Sequence, residues 1–117
     1  MKKITVAFDV DGTLIETGAW DTGTMKPNVR IVRLLVALAS FKNVRVVVWS
    51  GGGKDWADEA VDTLGLRKYV KATYSKNLIG RAENGDYIYE PEIKPDIAID
   101  DIQACELGVL NLIVREK

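Results

Sequence analysis

Val6-Ala7-Phe8-Asp9-Val10-Asp11-Gly12-Thr13-Leu14 constrains this chain more than any other stretch. The apolar run that opens it reads as a strand buried on both faces, as in a parallel sheet covered on either side. Residues two apart on a strand point to one face, so Asp9 and Asp11 leave its carboxyl end aimed the same way. Gly12 lets the backbone turn away sharply there. Two carboxylates about 4 Å apart repel by about 4 kcal/mol at an effective dielectric of about 20. A fold that gathers them raises a pKa or supplies a cation.

The rest of the chain alternates between strand and helix signals. Residues 3–8 form the first strand, and residues 14–25 mix Gly, Thr, Asp and Trp without a helical period, which reads as a loop. Trp20 in that loop is expected to plug the core or to close over a site. Pro27 opens a helix that runs to about Ser40, with Ile31, Leu34, Leu35 and Leu38 on its inner face. A β-branched strand at 44–49 ends in Ser50-Gly51-Gly52-Gly53. The next helix begins near Asp55, turns Trp56, Ala60, Val61 and Leu64 inward, and stops at Gly65. Residues 69–74 read as a third strand. This rhythm argues for a parallel sheet with right-handed crossovers.

Asn84-Gly85, between Leu78-Ile79 and Tyr87-Ile88-Tyr89, predicts a β-hairpin with a two-residue loop, where a fuller α/β protein would place a helix. Ile97-Ala98-Ile99 then forms a fourth strand that delivers Asp100-Asp101. A short helix at 104–107 and a fifth strand at 112–114 complete the chain.

Composition removes several kinds of chemistry. With 117 residues the chain is one domain. It has no histidine, which excludes His-based catalysis and counts against a zinc site. Cys105 is the only cysteine, so no internal disulfide forms, which fits a reducing cytoplasm. No apolar run reaches membrane-spanning length, and Asp9 and Asp11 interrupt the first one too early for a secretory signal. A net charge of −1 gives no indication of nucleic-acid binding.

In open α/β sheets, ligands bind beyond the carboxyl ends of the strands. Three apolar runs end there in polar groups: Asp9 with Asp11, Ser50, and Asp100 with Asp101. The backbone N–H groups of Gly51 and Gly52, followed by a helix N-terminus, suit an anion.

These residues carry a resemblance. Asp9-Val10-Asp11-Gly12-Thr13-Leu14 resembles the first motif of the haloacid dehalogenase (HAD) superfamily of phosphohydrolases. Ser50 after Val46-Val47-Val48-Trp49 resembles the second motif, and Asp100-Asp101 after Ile97-Ala98-Ile99 the fourth. The resemblance implies a three-layer, Rossmann-like α/β fold with a parallel sheet of about five strands. Asp9 would be the nucleophile that forms an aspartyl-phosphate, and Asp11 the general acid/base. Ser50, Gly51, Gly52, Gly12 and Thr13 would meet the substrate. Mg²⁺ would be held by Asp9, the backbone carbonyl of Asp11, Asp100, and Asp101 directly or through water. The third-motif lysine is read as Lys94, before Pro95, with Lys76 as the alternative.

Larger members insert a cap domain at intervals that have no room for one here, so the chain resembles a capless member with an open site. The resemblance thus implies a Mg²⁺-dependent phosphohydrolase acting on a small phosphate monoester or a phosphorylated macromolecule end. A nucleotide or polynucleotide end phosphatase is the second enzymatic reading. A non-catalytic or regulatory phosphate- or metal-binding relative is the reading from another class.

Overall fold

The computed structural model describes residues 2–18, 23–101 and 107–115. Trp20, Cys105 and all but the last residue of the helix expected at 104–107 lie outside the described residues. The elements run β1 (Ile4–Asp9), α1 (Val29–Ala39), β2 (Val44–Ser50), α2 (Lys54–Thr63), β3 (Ala72–Ser75), β4 (Leu78–Arg81), β5 (Tyr87–Tyr89), β6 (Ile97–Asp100) and β7 (Leu110–Ile113). Five of the strands form one parallel sheet in the order β3-β2-β1-β6-β7, and β4 and β5 pair as a separate antiparallel hairpin.

The order explains the layers. From β1 to β2 to β3 the chain moves one way across the sheet; from β3 to β6 and from β6 to β7 it moves the other way. Right-handed crossovers put these two sets of connections on opposite faces. Accordingly α1 and α2 share one face, where Leu35, Ala57, Ala60 and Val61 pack on Val6, Phe8, Val46, Val48 and Ile99. The other face carries Ala7, Val47, Trp49 and Ala98, covered by Leu107, Tyr89 and Ile93. The third layer among the described residues is thus built from the hairpin and the return segment. The strand order reverses between β1 and β6, and a crevice opens at such a point, beyond the carboxyl ends.

Several local expectations shift for physical reasons. Pro27 precedes α1 instead of starting it: it bridges antiparallel to Ile15, while Asn28 takes the N-cap position, its carbonyl accepting from the Ile31 and Val32 N–H groups. Leu34 stays partly exposed, and the buried stripe of α1 runs through Ile31, Leu35 and Leu38 with Val32 and Val36 beside them. Residues 69 and 70 belong to a turn, their N–H groups donating to the Leu66 carbonyl, so β3 begins at Ala72. The last strand starts two residues early, at Leu110. Asn111 within it holds the preceding turn, accepting from the N–H groups of Leu107 and Gly108 and donating to the Gly108 carbonyl.

The hairpin loop is longer than the expected two residues. The Gly85 N–H donates to the Ala82 carbonyl at 2.9 Å, and the Ala82 N–H to the Asp86 carbonyl at 2.8 Å. This is a three-residue loop with Gly85 in the left-handed region at φ 91°. The Asn84 side chain accepts from the Asp86 N–H at 3.1 Å, which satisfies that donor locally and leaves Gly85 alone to supply the positive φ.

Candidate active site

The register brings the acidic groups together. In β1, Phe8 lies opposite Ile99 of β6 and Asp9 opposite Trp49 of β2, so Asp9 and Asp100 end adjacent strands. Beyond β1 the chain folds into a tight loop. The Leu14 N–H donates to the Asp9 carbonyl, and the Thr13 and Ile15 N–H groups to that of Val10. Gly12 in this loop has φ 78°, and a Cβ there would lie 2.0 Å from Asp101 Oδ2. Only glycine satisfies both the turn and the approach of Asp101.

Lys76 occupies the centre of the acidic group. Its ammonium donates to Asp9 Oδ1 at 2.8 Å and to Asp100 Oδ2 at 2.9 Å, with all three side chains buried. The backbone delivers it there: Ser75 pairs with Ser50, the Lys76 N–H donates to the Ser50 carbonyl, and Asn77 turns the chain away at φ 52°. The ring of Tyr89 lies under the ammonium, 4.8 Å from the nitrogen to the centroid.

Lys94, expected in this role, is instead exposed on the segment before β6. The position next to Asp9 is filled from β3, whose end lies on the same rim as Ser50, so the alternative, Lys76, meets the acidic group.

Oxygens of Asp9, Asp100 and Asp101 lie within 4.8 Å of one another. The Asp101 N–H donates to Asp100 Oδ1 at 2.8 Å, and the Thr13 hydroxyl makes a long contact of 3.3 Å to Asp9 Oδ2. Three carboxylates face one ammonium, which leaves two negative charges uncompensated when all are ionised. Burial dominates the electrostatics of the group, with repulsion among the carboxylates adding to it. Burial lifts Asp9 well above the usual carboxylate range; Lys76 opposes the rise and Asp100 adds to it. Burial, and then hydrogen bonding to and repulsion from Asp100, push Asp101 up to about 6. Burial alone would lower Lys76, but attraction to Asp9 and Asp100 outweighs it and holds the ammonium above its ordinary range.

The Asp11 carboxylate stands apart from this group. Its Oδ2 accepts the indole N–H of Trp56 at 2.9 Å, and its Oδ1 is buried without a partner among the described residues. Ser50 is buried, its hydroxyl oxygen accepting the Gly52 N–H at 2.9 Å. A cleft of about 290 Å³ opens over these groups, lined by Asp9, Asp11 and Asp101, by Gly51 and Gly52, by Lys76, and by Leu78, Tyr87 and Tyr89. Gly12 and Thr13, expected at the substrate, are buried below the cleft. There one receives Asp101 and the other contacts Asp9.

Comparison with protein-family models, with curated proteins and with solved structures finds no match to this chain.

Trp56 and Tyr89 are the participants that the sequence reading missed. Helical periodicity turns Trp56 inward, and it does pack on the core, but its indole N–H also needs a partner and finds Asp11. Tyr89 gave a strand signal only. No helix among the described residues is long and apolar enough to cross a membrane.

Proposed function

We propose that the protein is a Mg²⁺-dependent phosphohydrolase of the HAD type, acting on a phosphate monoester through an aspartyl-phosphate on Asp9. The observation that carries this reading is the Lys76 ammonium bridging Asp9 and Asp100 beside a third carboxylate, at the point where the strand order reverses. The donor set fits a hard divalent cation. It offers only carboxylate oxygens, without sulfur or imidazole, and a charge of two remains to be balanced. Asp9, Asp100 and Asp101 would hold the ion, whose chemistry there is to neutralise the carboxylates and the oxygens of the transferred phosphoryl group.

The chain's own groups account for the rest. Asp9 attacks phosphorus as the bond to the leaving oxygen breaks. Lys76 and the N–H group of Gly51 stabilise the equatorial oxygens, while the Ser50 hydroxyl accepts the Gly52 N–H and braces the glycine turn. Asp11 gives a proton to the departing alcohol, then takes one from the water that attacks the aspartyl-phosphate. Inorganic phosphate leaves and the Asp9 carboxylate is restored. Trp56 holds Asp11 at the cleft through one oxygen.

The test is hydrolysis of an aryl phosphate by wild type with Mg²⁺, by wild type with EDTA, and by Asp9→Asn. We expect Mg²⁺-dependent turnover that falls by about 10³-fold or more in the variant. Turnover that survives in Asp9→Asn rules out the covalent route. Inactivity across a broad panel of phosphate esters, with Mg²⁺ still bound, favours a binding protein.

A further inference from the structure

The mouth of the cleft has a different chemistry from its floor. Asp9, Lys76 and the glycine turn are polar, whereas the hairpin contributes Leu78, Tyr87 and Tyr89 to the same cleft. The two rings are not equivalent. Tyr89 is half-buried, packs near Gly51, where a Cβ would lie 3.2 Å from its Cε1, and sits under the Lys76 ammonium. Tyr87 stands outside it, 37 % exposed, with ring centroids 6.2 Å apart and planes inclined by 40°.

Arg81 fixes the outer ring. Its guanidinium lies 4.4 Å from the Tyr87 centroid and also donates to the Tyr87 hydroxyl. Arg81 does not line the cleft, so Tyr87 is braced from outside while part of its surface is presented inward. An exposed tyrosine held by a cation, beside a leucine and next to the polar floor of the cleft, is a preformed apolar wall. It suits a planar ring, because aromatic pairs gain from offset or edge-to-face contact beyond the area they bury.

We infer that the preferred substrate is a phosphate monoester whose leaving group carries a planar aromatic ring, received by Tyr87 and Leu78 while its phosphoryl group lies at Lys76 and Gly51. The inference rests on the proposed phosphoryl position, and the experiment separates the two.

Benzyl phosphate and n-butyl phosphate release primary alcohols, so a difference between them reports chiefly on recognition of the organic group. We expect kcat/KM to favour the benzyl ester by roughly two- to tenfold. The same preference should appear in calorimetric binding of benzylphosphonate against butylphosphonate. In Tyr87→Ala the benzyl-to-butyl ratio should fall towards one, and in Tyr87→Phe it should persist.

A ratio near one in wild type with Asp9-dependent hydrolysis overturns this inference and leaves the phosphatase reading standing. So does an unchanged ratio in Tyr87→Ala. Selective phosphonate binding without hydrolysis of either ester supports the aromatic wall and overturns the phosphatase reading. Neither binding nor hydrolysis overturns both.

Discussion

The floor and the hairpin wall of the cleft are a few residues apart in sequence, yet they obey different rules. Lys76 is almost fully enclosed and both its carboxylate partners are buried with it. Two residues later Leu78 is 45 % exposed, and Tyr87 across the hairpin is 37 % exposed. The floor buries charge, where each group depends on its partner. The wall exposes apolar surface, so its side chains gain less from burial. Stability therefore depends far more on the polar residues of this site than on its apolar ones, the reverse of the usual arrangement in a core.

Lys76→Met breaks the floor and gives the largest effect. It leaves Asp9 and Asp100 buried without their ammonium, and loss of one partner of a buried pair costs about 3–5 kcal/mol. Ile79→Thr, on the hairpin but outside the cleft lining, should stay within about 0.5 kcal/mol of wild type. Urea denaturation of both variants in EDTA at pH 7 measures the contrast. Equal losses would show that Lys76 is not the keystone of the floor.

The same contrast explains what was legible in the sequence. Asp9 and Asp100 could be read because each ends an apolar run, and a parallel sheet gathers such ends on one rim. The lysine could not be chosen by pattern. Lys76 and Lys94 each flank a strand, and local hydropathy does not say which one tertiary packing will bury. The deciding fact is non-local: β3 pairs with β2 through Ser50 and Ser75, which brings the next residue over the reversal point. Trp56 was hidden for a related reason, since its apolar ring fits a core stripe and its single N–H leaves no periodic mark. The hairpin was visible in Asn84-Gly85, but its loop type turned on one side-chain bond, from the Asp86 N–H to Asn84 Oδ1.

Trp56→Phe tests how the helix layer holds Asp11 at the edge of the floor. An aromatic ring is kept while the donor to Asp11 Oδ2 is lost, and the other oxygen has no partner among the described residues. A hydrogen bond to a charged group is worth about 1.5–3 kcal/mol. We expect kcat to fall by about tenfold or more while KM changes little, because in the proposed mechanism Asp11 acts on the leaving oxygen and not on the phosphoryl group. A change confined to KM would instead place Trp56 in substrate binding.

The smallest expected effect is the pH dependence of the metal-free protein, and its sign is diagnostic. Asp101 has its pKa raised from 3.8 to about 6, so between these values the folded state binds more protons than the unfolded state. Its contribution is therefore fully present below about 4 and is lost as pH rises through about 6. Asp9 is shifted in the same direction and adds to the loss. A shift of this size is worth about 3 kcal/mol in a dry site. Solvent reaching half-buried Asp101 reduces that to about 1–2 kcal/mol.

Asp58 behaves oppositely: hydrogen bonds from Thr73 and Lys54 hold it low, so its contribution is lost only at more acid pH. Urea unfolding in EDTA should thus show stability falling from pH 4.5 to pH 7, against the common trend for carboxylates. Mg²⁺ at about 100 times its dissociation constant should restore about 2.7 kcal/mol at pH 7. The gain should shrink towards pH 4.5, where protons compete for the same oxygens. If stability rises with pH in EDTA and ignores Mg²⁺, the uncompensated charge on the floor is not what the cation answers.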